Sequence, residues 1–150
     1  MSVTDIVYLA APPPPAMFSL TYVSSSHNLL DYKQIIDILD VSVVNNALRD
    51  VTGCLIYSHG NFIQVLEGQQ SDVEFIFAKI LNDKSHHHIT VVERANIESR
   101  IFESWYMGFR YYKQHELLLV DGCLIIPSID TIAKDGIAKK LLLQFLENNK

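Results

Sequence analysis

The chain has 150 residues, enough for one domain with a sizeable core, and its 49% apolar and 19% charged content excludes a disordered polymer. A formal net charge of −5, with no run of lysine or arginine, argues against nucleic acid as a partner, since phosphate binding wants a basic stripe. No apolar run reaches the ~18 residues of a membrane span and no secretory signal pattern opens the chain, so a cytoplasmic protein without membrane contact is expected, with Cys54 and Cys123 as reduced thiols.

Residues 1–16 differ in character from the remainder of the chain. Prolines at 12–15 favour extended polyproline-type chain, and the stretch is expected to be a leader or start-site artefact, with Met17 the functional start. From Met17 the chain alternates, placing Phe18, Leu20 and Tyr22 on one face of a first strand. A helix comes next, with Tyr32, Ile35, Ile36, Leu39 and Val43 at helical spacing. Asn28 or Asp31 is its expected cap and Asn45-Asn46 its expected end. Two apolar segments, 54–57 and 62–66, flank a polar link containing Gly60 and predict a β-hairpin.

Ser71-Asp72-Val73-Glu74 has the capping-box pattern and predicts a second helix, with Val73, Ile76, Phe77 and Ile80 on one face and a stop by Asp83. A polar link over 84–88 leads to a fourth strand at 89–95, and 104–109 predicts a fifth. A final helix is expected over 132–146, after Pro127, with Ile137, Leu141, Leu142 and Phe145 forming an apolar stripe. That stripe is expected to pack on the open face of the sheet or on a neighbouring subunit. The order is βαββαββ: an α+β, ferredoxin-like sheet with two helices on one face and a C-terminal helical extension. The expected organisation is a leader at 1–16, a domain at 17–111 and the extension at 112–150.

Within the second hairpin strand, Phe62, Gln64 and Leu66 share a face. Burying a glutamine between two large apolar neighbours costs roughly 1–3 kcal/mol unless its amide finds partners. A bound ligand is one candidate partner. In the split arrangement the first and third strands are neighbours, which would set Tyr22 beside Gln64 under both helices, with Asn46 near by. A satisfied core network is the plain alternative for such a pair. Ile38 and Ile80 on the helix faces suggest instead a slot for a flat ring.

These residues also carry a resemblance. From about Phe18 to Phe109 the chain resembles the BLUF domain, the flavin-binding blue-light sensor module. The matching motifs are Leu20-Thr21-Tyr22-Val23-Ser24-Ser25, Asn45-Asn46 followed by Thr52-Gly53, Phe62-x-Gln64-x-Leu66-Glu67-Gly68, Asp83-x-x-His86, and Trp105-x-Met107-Gly108. The resemblance implies a stand-alone photoreceptor that binds FAD non-covalently, with FMN or riboflavin as substitutes. It implies that Gln64 hydrogen-bonds the redox-active edge of the flavin and that Tyr22, bonded to Gln64, is the electron and proton donor. Asn46 would hold a flavin carbonyl, with Asn45 a neighbouring contact, Ile38 and Ile80 sandwiching the ring, and Phe62 lining the pocket. Ser42, Asp83 and His86 complete the implied cofactor site. Trp105 and Met107 match a switching pair that passes the signal to a downstream protein partner.

The pattern departs from the family at Ser85, where arginine is common; Lys84 is the expected source of positive charge near the nucleotide tail. His86-His87-His88 is expected to be a solvated link rather than a metal site. Glu67 has no second carboxylate or nucleophile placed with it, so no enzyme activity is expected. An acylphosphatase-like hydrolase on the same fold would need an arginine in the loop after the first strand, and Ser24-Ser25-Ser26-His27 has none. A light-independent regulatory or assembly module on the same scaffold is the remaining alternative. Self-association is expected from the apolar tail.

Overall fold

A computed structural model describes residues 17–102, 107–111, 123–125 and 136–149. The elements are β1 (Met17–Ser26), α1 (Tyr32–Leu48), β2 (Thr52–Ser58), β3 (Asn61–Gln69), α2 (Gln70–Leu81), β4 (His86–Ile97), β5 (Met107–Tyr111), β6 (Cys123–Ile125) and α3 (Ile137–Asn148). They build one sheet of order β4-β1-β3-β2-β5-β6. β1, β2, β3 and β4 pair antiparallel, whereas β5 runs parallel to β2, and β6 to β5. This is the expected ferredoxin-like α+β fold, extended by a sixth strand that the sequence pattern did not announce.

Strand alternation divides the core into two. Phe18, Leu20, Tyr22, Leu55, Tyr57, Phe62 and Leu66 pack against Ile35, Leu39 and Val43 of α1 and Val73, Ile76 and Phe77 of α2. On the other face Cys54, Ile56, Ile63 and Val65 pack against Phe102 and against Ala138, Leu142 and Phe145 of α3. The C-terminal stripe is thus absorbed by the chain's own core, except that Ile137 is exposed.

Local signals account for most boundaries. Asp31 caps α1 through a reciprocal pair with Gln34, each side chain bonding the other's backbone N–H at 2.9 and 3.0 Å. α1 runs to Leu48, past the expected stop at Asn45-Asn46, and closes where the Asn46 carbonyl accepts from Arg49 and Val51. The hairpin turns at His59 and Gly60, both with positive φ (51° and 83°), the conformation a two-residue turn between right-twisted strands requires. At Gly53 a Cβ would lie 1.9 Å from the Val65 carbonyl oxygen, so only glycine allows β2 to approach β3 there.

Several boundaries differ from expectation. The capping box at Ser71–Glu74 does not form: β3 passes directly into α2 at Gln70, and Gln69 is the N-cap, with no side-chain cap bond. β4 begins at His86, because Ser25 and Ser26 of β1 pair with His87 and His86 and draw those polar residues into the ladder. Of the expected fifth strand, 104–106 lie outside the described residues, and Met107–Tyr111 are extended. Residues 132–135 of the expected last helix also lie outside them, and the helix runs past 146 to Asn148. Among the described residues no helix is long and apolar enough to cross a membrane.

Candidate functional site

β1 and β3 pair with Tyr22 directly opposite Gln64. Both side chains lie on the α1/α2 face and are about 3% exposed. The Tyr22 hydroxyl donates a short hydrogen bond to Gln64 Oε1. The amide oxygen of Gln64 faces Tyr22 and accepts its proton, which leaves the amide nitrogen as a donor elsewhere. Burial, and then the nearby Asp83 carboxylate, push the Tyr22 hydroxyl well above the ordinary phenol pKa of 10.0. The phenol is therefore held neutral and remains a donor.

Above this pair, α1 and α2 leave a cavity. An inner compartment of about 60 Å³ is lined by Tyr22, Leu55, Phe62 and His86, together with Ile38, Ser42, Gln64, Ile80, Asp83 and Ser85. The last six also line an outer compartment of about 330 Å³, joined there by Asp37, Val41, Asn45, Asn46, Ile76 and Lys79. Aliphatic walls from two helices, with convergent amides and a hydroxyl on the rim, are the composition of a site for a flat heteroaromatic ligand.

His86 is fixed from two sides. Its Nε2 lies 3.1 Å from the Ile80 carbonyl, which only accepts, and its Nδ1 lies 2.9 Å from Ser24 Oγ. Nε2 therefore donates to the Ile80 carbonyl, and Nδ1 shares a hydrogen bond with the Ser24 hydroxyl. The ring stands edge-on to Tyr22 and Phe62, with centroids 6.3 and 6.2 Å away. His87 does not join it: that ring stacks on His27 at 4.5 Å and contacts His88. Among the described residues no group of His, Cys, Asp or Glu is arranged to hold a metal.

The sequence-derived set is thus largely brought together: Tyr22, Ile38, Ser42, Asn45, Asn46, Phe62, Gln64, Ile80, Asp83 and His86 all border one cavity. Trp105 lies outside the described residues, and Met107 is placed by its backbone alone, on β5. Lys84 is exposed and offers its carbonyl to His27; the lysine lining the outer compartment is Lys79, one turn before Asp83. Sequence reasoning also missed Ser24 and Leu55. Ser24 was within reach of the strand period, two residues beyond Tyr22 on the same face.

A family model described as BLUF, sensors of blue-light using FAD, matches residues 17–108. The chain belongs to the BLUF family. Among curated relatives of this BLUF chain, the photoactivated adenylate cyclase subunit alpha of Euglena gracilis is 31% identical over 88 residues, 59% of this chain and 9% of that protein. The beta subunit from Euglena longa is 32% identical over 90 residues, 59% of this chain and 10% of the relative. The matched segment is a small fraction of the length of these cyclase subunits. Among solved structures, BlrB, a BLUF protein in its dark state, superposes with a TM-score of 0.63 at 30% identity, covering 66% of this chain and 75% of BlrB. A bacterial light-regulated adenylyl cyclase superposes with a TM-score of 0.65 at 28% identity, covering 88% of this chain and 34% of that one. BLUF domains are flavin-binding sensors, and this chain shares their fold and motifs.

Proposed function

We propose that this chain is a blue-light photoreceptor that holds FAD between α1 and α2 and uses the Tyr22–Gln64 pair as a switch for association with a protein partner. The observation that carries this reading is the buried hydrogen bond from Tyr22 to Gln64 at the base of a cavity bordered by Ile38 and Ile80. The residues fit the group: aliphatic side chains suit the faces of a flat ring, and Asn45, Asn46 and Gln64 suit its carbonyl and nitrogen edge. A bound flavin supplies absorption of blue light and an excited state that readily takes up an electron.

The rest belongs to the protein. Tyr22 holds a proton on an oxygen already aimed at Gln64, so an electron and that proton can leave together along a preformed path. Gln64 has a donor and an acceptor on one planar group. Rotation or tautomerisation of its amide exchanges the two and changes the hydrogen bond it offers the cofactor. Ser24 and the Ile80 carbonyl hold His86, beside Tyr22, in one orientation. Met107, on β5, and Trp105 are the proposed output pair; thioether side chains repack at low cost.

We place the protein in the cytoplasm, acting as a sensor rather than an enzyme. Self-association is supported by Val44 and Leu48, exposed apolar side chains one turn apart on α1. The test is a difference spectrum of the purified yellow protein before and after blue light. A reversible red shift is expected, and it should be lost in Gln64→Ala and in Tyr22→Phe with flavin still bound. A colourless protein that takes up no flavin would select the light-independent module, and a normal shift in either variant would refute the photoactive pair.

A further inference from the structure

β3 has a second polar side chain that the cavity does not use. Glu67 lies three residues beyond Gln64, on the opposite face, and is 0% exposed. Its carboxylate accepts from Ile101 N–H at 3.0 Å and from Phe102 N–H at 2.8 Å. Two consecutive backbone N–H groups converging on one anion form a small nest, and they satisfy a charge that would be costly to bury alone. Arg100 extends the attachment. Its guanidinium donates to the Glu67 carbonyl at 3.0 Å, to Thr52 Oγ1 at 2.9 Å and to the Asp50 carbonyl at 2.7 Å. The Phe102 ring is 1% exposed in the lower core. Three consecutive residues after β4 are therefore clamped to β3 and to the start of β2.

Resting on the photoreceptor reading above, we propose that Glu67 is a positioning residue that carries the Gln64 rearrangement to the output strand β5. The strand rises about 3.3 Å per residue, so the Glu67 and Gln64 backbones are ~10 Å apart on one continuous ladder. β5 is fixed laterally by parallel pairing with β2, Gly108 opposite Cys54. The clamp at 100–102 sets the other constraint, five residues before Met107. A displacement of β3 at Gln64 thus arrives at Glu67 and moves the chain that leads into β5. The same strand presents the sensing amide on one face and the transmitting carboxylate on the other.

The chain contains one tryptophan, Trp105, three residues after Phe102, so its fluorescence reports on this connection without labelling. The experiment compares the flavin-loaded wild type with Glu67→Gln, Glu67→Ala and Arg100→Ala, recording both the visible red shift and the Trp105 emission in dark and light. The expected result is a wild-type red shift in every variant that folds. The light–dark difference in emission should shrink by about threefold or more in Arg100→Ala and Glu67→Ala, the scale of effect seen along coupled networks. Glu67→Gln, which keeps one acceptor oxygen, should be intermediate. The Arg100 side chain is 13% exposed and the carboxylate bonds of Glu67 do not run through it, so its variant tests the clamp even if the Glu67 substitutions fail to fold. A full emission difference in Arg100→Ala, or a wild type whose red shift comes with no emission change, overturns the proposal. A wild type with no red shift overturns the photoreceptor reading itself.

Discussion

The two faces of the sheet solve different problems with the same strands. On the α1/α2 face, close packing is interrupted by a cavity, and the polar pair Tyr22 and Gln64 lies at its base among Leu20, Phe62 and Leu66. On the α3 face the strands present Cys54, Ile56, Ile63 and Val65 to Phe102, Leu142 and Phe145. The one buried carboxylate described there, Glu67, bonds backbone N–H groups. One face leaves a cavity between helices and sheet; the other packs closely over the strands. The contrast shows why a polar residue can be read as functional only with its surroundings. Gln64 beside a cavity and Glu67 in a backbone nest are equally buried, but only Gln64 meets a space that a ligand can fill.

The comparison breaks most sharply under substitution. Gln64→Ala should abolish the light response outright while leaving the fold, whereas Leu142→Ala on the other face should do the reverse. Leu142 is 0% exposed, so its truncation should cost about 2–5 kcal/mol in denaturant unfolding with an unchanged red shift. A lost shift in Leu142→Ala would mean the faces are not separable. Ligand should act on the cavity face alone: flavin at about a hundred times its dissociation constant should stabilise the protein by ~2.7 kcal/mol. Gln64→Ala should lower that gain through weaker binding, and Leu142→Ala should not, as thermal unfolding with and without flavin will test.

Acid gives a smaller effect. Desolvation, and then His88, His27 and His86, lower the His87 pKa below its ordinary 6.5. The unfolded chain therefore takes up the proton first, and the contribution is complete above about pH 6.5 and lost as the pH falls below it. The melting temperature should decline on acidification, and the decline should be shallower in His87→Gln. Smallest of all, Arg94 on β4 pairs with Glu74 on α2 at the surface. Arg94→Gln should cost at most about 1 kcal/mol, an amount that salt should erase in urea titrations of both proteins.

Much of this was legible in the chain. Asp31, expected with Asn28 as a cap, marks the start of α1, the polar link containing Gly60 predicts the hairpin, and alternation from Phe18 to Tyr22 and from Phe62 to Leu66 predicts which residues share a face. Other features were not. The start of α2 was misplaced because the pattern at Ser71 is locally sound, yet β3 delivers the chain into the helix one residue earlier. The histidines at 86–88 look like a solvated link until β1 supplies them with a pairing edge. β6 shows three described residues, paired with β5, too short a stretch to announce itself by alternation.

By itself, the sequence determined every element but β6, their inward faces and the residue types offered to the site, because strand and helix periods and cap chemistry act over a few neighbouring residues. Only the tertiary structure decided that Tyr22 stands directly opposite Gln64, that the Ile80 carbonyl and Ser24 hold His86 from two sides, and that Glu67 holds Ile101 and Phe102. These contacts join residues dozens of positions apart. Their register follows from how the whole sheet buries its two faces, a requirement that no short window of sequence contains.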